Sequence, residues 1–169
     1  MIGFSGAFRR SELVGLDWED LAETADGLVI TIRRSKTDQD AEGRKVAIPR
    51  GREESTCPLR ALFLWRTAVR IESGPLFLRV NRHGQILGAR LSGEAVAIVL
   101  KRWAGRIGYA EGEFAGHSLR SGLATAAAIA GKSERAIMNQ TGHRSTTTVR
   151  RYIRHGNLFR DNAAEGLGL

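Results

Sequence analysis

The stretch from Gly142 to Arg154, GHRSTTTVRRYIR, constrains this chain more than any other. Gly142-His143 ends one segment, and Ser145 or Thr146 is placed to cap the next. A short basic helix then carries Tyr152, flanked by Arg150, Arg151 and Arg154. A phenol turned into the core here would draw charged neighbours toward apolar surroundings, which is costly. The cheaper arrangement leaves the phenol oxygen facing an anion.

Composition says what kind of anion. The net charge is +8, carried by 22 arginines and 4 lysines against 18 acidic residues. Guanidinium forks grip phosphate oxygens in pairs, so nucleic acid is the first expected partner and a membrane surface the second. At 169 residues and 42% hydrophobic content, the chain is expected to fold as one domain with its own core. The single cysteine, Cys57, excludes an internal disulfide framework and most zinc motifs, and points to the cytoplasm. No apolar run approaches the roughly 20 residues of a membrane span, and no signal peptide is visible.

Taken in order, Arg9 to Leu16 reads as a short helix with Trp18 in the turn after it. Leu28 to Arg34 alternates and is β-branched, so it reads as a strand paired with Arg44 to Pro49 across a polar link, SKTDQDAEG. Pro58 opens a helix through Arg70. PLFLRV, after Gly74, reads as a third short strand, and Asn81 to Leu91 as a loop. Ser92 caps a helix to about Ile107, with Val96, Val99, Leu100 and Trp103 expected on its inner face. His117 to Gly131 is helical, with small residues that permit close packing. Ser133 caps another helix, which stops at Gly142. The expected class is α+β, mainly helical, with one small three-stranded antiparallel sheet. Residues 1–156 form the expected domain, and 157–169 a weakly patterned tail.

Several separated segments carry groups that bind phosphate or move protons near it. They are Arg9 with Arg10, His117 with Arg120 at a helical spacing of three, His143 with Tyr152, and Lys36 in the hairpin link. Together the motifs GAFRRSELVGLDWEDL, HSLR and TGHRSTTTVRRY, with nine positions from histidine to tyrosine, resemble the tyrosine recombinase or phage integrase family. The resemblance covers about Gly3 to Arg154. It implies the catalytic-domain fold of that family and assigns Arg9, Lys36, His117, Arg120, His143 and Tyr152 to catalysis.

In that assignment Tyr152 attacks a DNA phosphate, while Arg9 and Arg120 stabilise the growing charge. His117 takes the phenol proton, Lys36 protonates the departing oxygen, and His143 binds the phosphate or assists the relay. The implied partner is double-stranded DNA, bound by four protomers on two duplexes, with neither metal nor other cofactor. Arg33, Arg34, Lys101, Arg102 and Arg106 are candidates for DNA backbone contact. Relatives of this kind carry a preceding helix and a DNA-clamping domain, and the chain reads as lacking both. The rival reading is therefore a DNA-binding module that does no chemistry.

Overall fold

The computed structural model describes residues 1–33, 43–110, 112–156, 164 and 167. Lys36 and Arg34 lie outside the described residues, as does most of the tail.

The chain enters through a single helical turn, α1 (Ile2–Ser5), and a short helix, α2 (Arg10–Gly15). A three-stranded antiparallel sheet follows, built from β1 (Leu21–Thr24), β2 (Gly27–Ile32) and β3 (Arg44–Pro49), with β2 central. Leu28, Ile30 and Ile32 of β2 are buried, and Ile30 and Leu28 pair with Val46 and Ile48 of β3. The period-two pattern of β2 and β3 thus puts one face of the sheet on the core. Gly27 is required where β1 turns into β2. Its φ is 154°, and an added Cβ would lie 2.2 Å from the Ile48 carbonyl oxygen.

The sheet has the expected strand number, but its third strand is Leu21–Thr24 rather than PLFLRV. Three of the four β1 residues are exposed, so the strand has no hydrophobic alternation to betray it. Leu78–Val80 instead forms β4, which pairs with β5 (Ile86–Arg90) in a separate two-stranded ribbon. Asn81 to Leu91, read as a loop, therefore supplies a strand. The turn itself is built by Asn81, whose side-chain oxygen accepts from the backbone N–H groups of His83 and Gln85.

Helix α3 (Pro58–Val69) starts on Pro58, as the sequence suggests. Helix α4 (Gly93–Arg106) is capped by Ser92, whose hydroxyl accepts from Ala95 N–H. Its inner stripe is narrower than expected. Val96 and Ala104 are buried and Leu100 packs on the core, all at spacing four. Val99 and Trp103 sit one position back on the helix and remain 48% and 58% exposed. The Arg106 guanidinium covers the Trp103 ring at 4.6 Å.

Three further helices follow among the described residues: α5 (Ser118–Ile129), α6 (Glu134–Thr141) and α7 (Thr146–Gly156). Two apolar clusters result. The larger joins the sheet to the first four helices through Phe8, Leu16, Ile30, Ile48 and Leu76. The smaller unites α5, α6 and α7 through Ala124, Ala128, Ile137 and Val149. No helix among the described residues is long and apolar enough to cross a membrane.

Because Ala124 is fully buried where α5 meets α7, Ala124→Leu is expected to overpack that contact. Urea unfolding should show a loss of about 2 kcal/mol with an unchanged m-value.

Candidate active site

The two apolar clusters meet along a polar seam, and the candidate residues gather there. Arg120 sits in the first turn of α5 and is only 5% exposed. One of its nitrogens, Nη1, donates to the Ala7 carbonyl oxygen at 3.0 Å. Ala7 is an uncommon partner: it is fully buried and its φ of 51° lies in the left-handed region. The other terminal nitrogen, Nη2, is buried without an acceptor among the described residues. A buried guanidinium donor left in this state is costly, and an anion oxygen would relieve the cost.

Arg9 is placed beside Arg120 by the start of α2. Its neighbour Glu12 bends back, accepting from the Arg9 backbone N–H at 2.9 Å and from the Arg9 guanidinium at 2.7 Å. The Glu12 side chain is only 1% exposed. A third arginine joins them from the sheet. The Arg44 guanidinium lies 3.6 Å from the Glu12 carboxylate and donates from Nη1 to the Gln140 carbonyl oxygen. Burial lowers Arg44 below the usual guanidinium range, with Glu12 opposing and Arg9 reinforcing that change. Arg120 is pushed down to about 10, by burial first and then by the charge of Arg9. It remains a cation at neutral pH.

His143 follows the end of α6. That helix closes on Gly142 at φ 65°, a left-handed cap, where an added Cβ would lie 3.0 Å from the Arg44 guanidinium. The glycine therefore serves both the turn and the close approach of Arg44. His143 Nδ1 lies 2.7 Å from the Thr141 hydroxyl. Burial, and then the cations Arg120, Arg9 and Arg44, push its pKa down to about 4, so the imidazole is neutral at pH 7.

Tyr152 lies on α7, half-buried, with its ring packed against the smaller cluster. Its ring centroid is 6.1 Å from that of His143 at an interplanar angle of 39°. It lies within electrostatic reach of Arg120. The Arg151 guanidinium sits 5.7 Å from the ring. Packing on one flank and arginine on the other resolve the tension legible in the sequence, because neither requires the charges to be buried.

The structure thus brings Arg9, Arg120, His143 and Tyr152 to one place. His117 occupies the cap position before α5 and is exposed, and its backbone carbonyl accepts from the Ser121 hydroxyl. No described hydrogen bond or ring contact joins its imidazole to Tyr152. Lys45, in the same hairpin as Lys36, lies on the exposed face of β3. Among the possible DNA contacts, Lys101 and Arg102 are exposed on α4, whereas the Arg33 guanidinium is engaged by Asp17 and Asp20.

Three contributors escaped sequence reasoning. Arg44 shares its strand face with Val46 and Ile48, so an inward-pointing arginine was readable from the alternation. Glu12 stands three residues after Arg9, the spacing of a reciprocal helix cap. Gln140 left no such signal. Its side-chain amide donates to the Ser5 and Ala47 carbonyl oxygens, tying α6 to both the N-terminal segment and β3.

Residues 1–157 match the phage integrase family. An integrase/recombinase xerD homolog from Selenomonas ruminantium is 44% identical over 162 residues, which is 96% of this chain and 48% of that protein. This chain therefore spans about half the length of that relative. Among solved structures, XerA recombinase aligns with a TM-score of 0.65 at 20% identity, covering 90% of this chain and 49% of the other. The Tn1549 transposon integrase in complex with transposon right end DNA aligns with a TM-score of 0.63 at 19% identity, covering 89% and 51%. At these identities the structural likeness speaks for the fold.

Two outcomes follow from the geometry. Glu12→Gln removes the buried negative charge between Arg9 and Arg44 and should lower unfolding stability by about 3 kcal/mol, read by chemical denaturation. His143 has a folded-state pKa near 4 against 6.5 for an ordinary histidine, so between those values the unfolded chain binds the extra proton. Stability should therefore fall as the pH falls through that window, and His143→Gln should flatten this part of the profile.

Proposed function

This chain belongs to the phage integrase family, and from that premise we propose that it is the catalytic domain of a tyrosine-type site-specific DNA recombinase. One observation carries the reading. A buried arginine with an unengaged donor on α5, a neutral histidine in the link between α6 and α7, and a tyrosine ring on α7 share one cationic seam.

The chemistry follows from the charges. Attack on a phosphodiester builds negative charge on its non-bridging oxygens. Among the described residues, Arg9, Arg44 and Arg120 face the single carboxylate of Glu12, so these side chains carry three positive charges less one, or +2. Fixed donors in a half-buried site stabilise such charge as it develops. A free phenol has a pKa near 10, so only roughly one in a thousand is ionised at neutral pH. Arg120 and its cationic neighbours are placed to stabilise the negative charge that passes from the attacking oxygen to the phosphate.

In the proposed step the Tyr152 hydroxyl proton passes to a base, for which His117 and His143 are the candidates. The phenolate oxygen forms a bond to phosphorus as the bond from phosphorus to the 5′ oxygen breaks. That oxygen takes up a proton, supplied in this reading by Lys36. The product is a 3′-phosphotyrosyl bond and a free 5′ hydroxyl. The aryl oxide is a good leaving group, so a 5′ hydroxyl from another strand reverses the step. Because phosphorus stays esterified throughout, rejoining needs no nucleotide hydrolysis.

The proposed partner is double-stranded DNA in the cytoplasm, with protomers assembling as a tetramer on two duplexes. Exposed Lys101, Arg102 and Arg106 on α4 suit contact with the DNA backbone, which would make binding weaken with salt. A nicked suicide substrate tests the reading. The wild-type chain should form a covalent adduct that survives denaturant, and Tyr152→Phe should form none. Arg120→Lys, which loses the planar fork, should slow adduct formation by at least about a hundredfold. A Tyr152→Phe protein that still became linked to DNA would refute the assignment. A chain that only shifts DNA in a native gel would fit a non-catalytic binder.

A further inference from the structure

The Thr141 hydroxyl is fully buried and takes part in two short contacts. It lies 2.7 Å from the Ile137 carbonyl oxygen, one helical turn back, and 2.7 Å from His143 Nδ1. A hydroxyl has one proton to give. The contact with Ile137 joins two oxygens, and only the hydroxyl can place a proton between them. Two oxygen lone pairs held that close without a proton would repel. The hydroxyl proton is therefore committed to Ile137, and the proton in the second contact must come from the histidine ring. Thr141 accepts, and Nδ1–H donates.

We propose that Thr141 is a positioning residue that holds neutral His143 with its proton on Nδ1, so that the ring offers an unprotonated Nε2 to the reaction. The inference rests on the recombinase reading for its consequence but not for its geometry. With the other tautomer, Nε2 would carry a hydrogen and could only donate. With this one, Nε2 can accept a proton at the moment Tyr152 must lose one. The proton then sits on the imidazolium, which becomes a donor to the phosphate, and the phenol oxygen keeps the electron pair that bonds to phosphorus. A single residue outside the reacting atoms would thus set the direction in which His143 works.

The surroundings support the arrangement from every side. Arg120 on α5, Arg9 at the start of α2 and Arg44 on β3 all disfavour a second proton on the free ring. Glu12 is already engaged with Arg9 and Arg44. Tyr152 and the arginine over its ring, Arg151, approach from α7. An entering phosphate would add negative charge to this cluster and favour protonation of Nε2 when the phenol proton is released.

Histidine labelled with nitrogen-15 reports the tautomer directly, with a His143→Gln sample identifying the signals of that ring. The wild-type protein and Thr141→Ser should show a protonated Nδ1 and a bare Nε2. Thr141→Val matches the shape of threonine but cannot accept, and it should move the proton wholly or partly to Nε2. Adduct formation on the nicked substrate should fall by at least about tenfold in Thr141→Val and stay within about twofold of wild type in Thr141→Ser. A wild-type spectrum with the proton on Nε2 overturns the proposal, and so does a Thr141→Val protein with the wild-type tautomer and rate. If Thr141→Val fails to fold, the wild-type spectrum still decides. If no protein forms an adduct, the recombinase reading fails while the spectrum judges the tautomer separately.

Discussion

The site depends on one buried carboxylate. Glu12 is almost wholly removed from solvent and holds two guanidinium groups, one from its own helix start and one from the sheet. Three arginines would otherwise repel one another in a region where water screens them poorly. The carboxylate lowers that repulsion without cancelling it. The seam stays cationic among its described groups, which suits a ligand whose negative charge grows as it reacts. The same residue satisfies a backbone N–H at the start of α2, so the cap and the charge balance are one interaction.

The seam also joins the two halves of the molecule. Apolar contacts alone define two clusters, one around the sheet and one among the last three helices. Polar links cross between them: Arg120 to the Ala7 carbonyl, Arg44 to the Gln140 carbonyl, and Gln140 to the carbonyls of Ser5 and Ala47. Arg120 and Arg44 thus belong both to the cationic seam and to the contacts that hold the halves in register. Geometry at the site and cooperativity of the fold share the same bonds, so loosening either should be felt by both.

How much of this was legible in the sequence follows from what each residue type signals locally. The helix starts at Pro58, Ser92 and Ser133 and the stop at Gly142 were readable because caps act over a few residues. The strands β2 and β3 were readable because burial on one face imposes alternation. Edge strand β1 and ribbon strand β5 were not, because neither buries a face. Val99 and Trp103 were misplaced because a helix partly covered by its neighbours does not need its whole apolar stripe. At the site, Arg9, Arg120, His143 and Tyr152 were singled out through the family resemblance, and the fold brings these four together. Gln140 and Thr141 act through contacts set by the fold, with no local pattern to mark them. Arg44 had a pattern, but a basic residue in a basic chain hides easily.

One further consequence lies in how Arg120 is moored. Its anchor is the main-chain oxygen of Ala7, presented by a backbone turned into the left-handed region. A side-chain anchor can be erased by a single codon change, whereas a peptide oxygen survives every substitution at its position. What selection can alter there is only the ease of the turn, and glycine is the one residue that adopts it freely. The arginine is therefore insulated from sequence drift, and variation at position 7 should be confined to the smallest side chains.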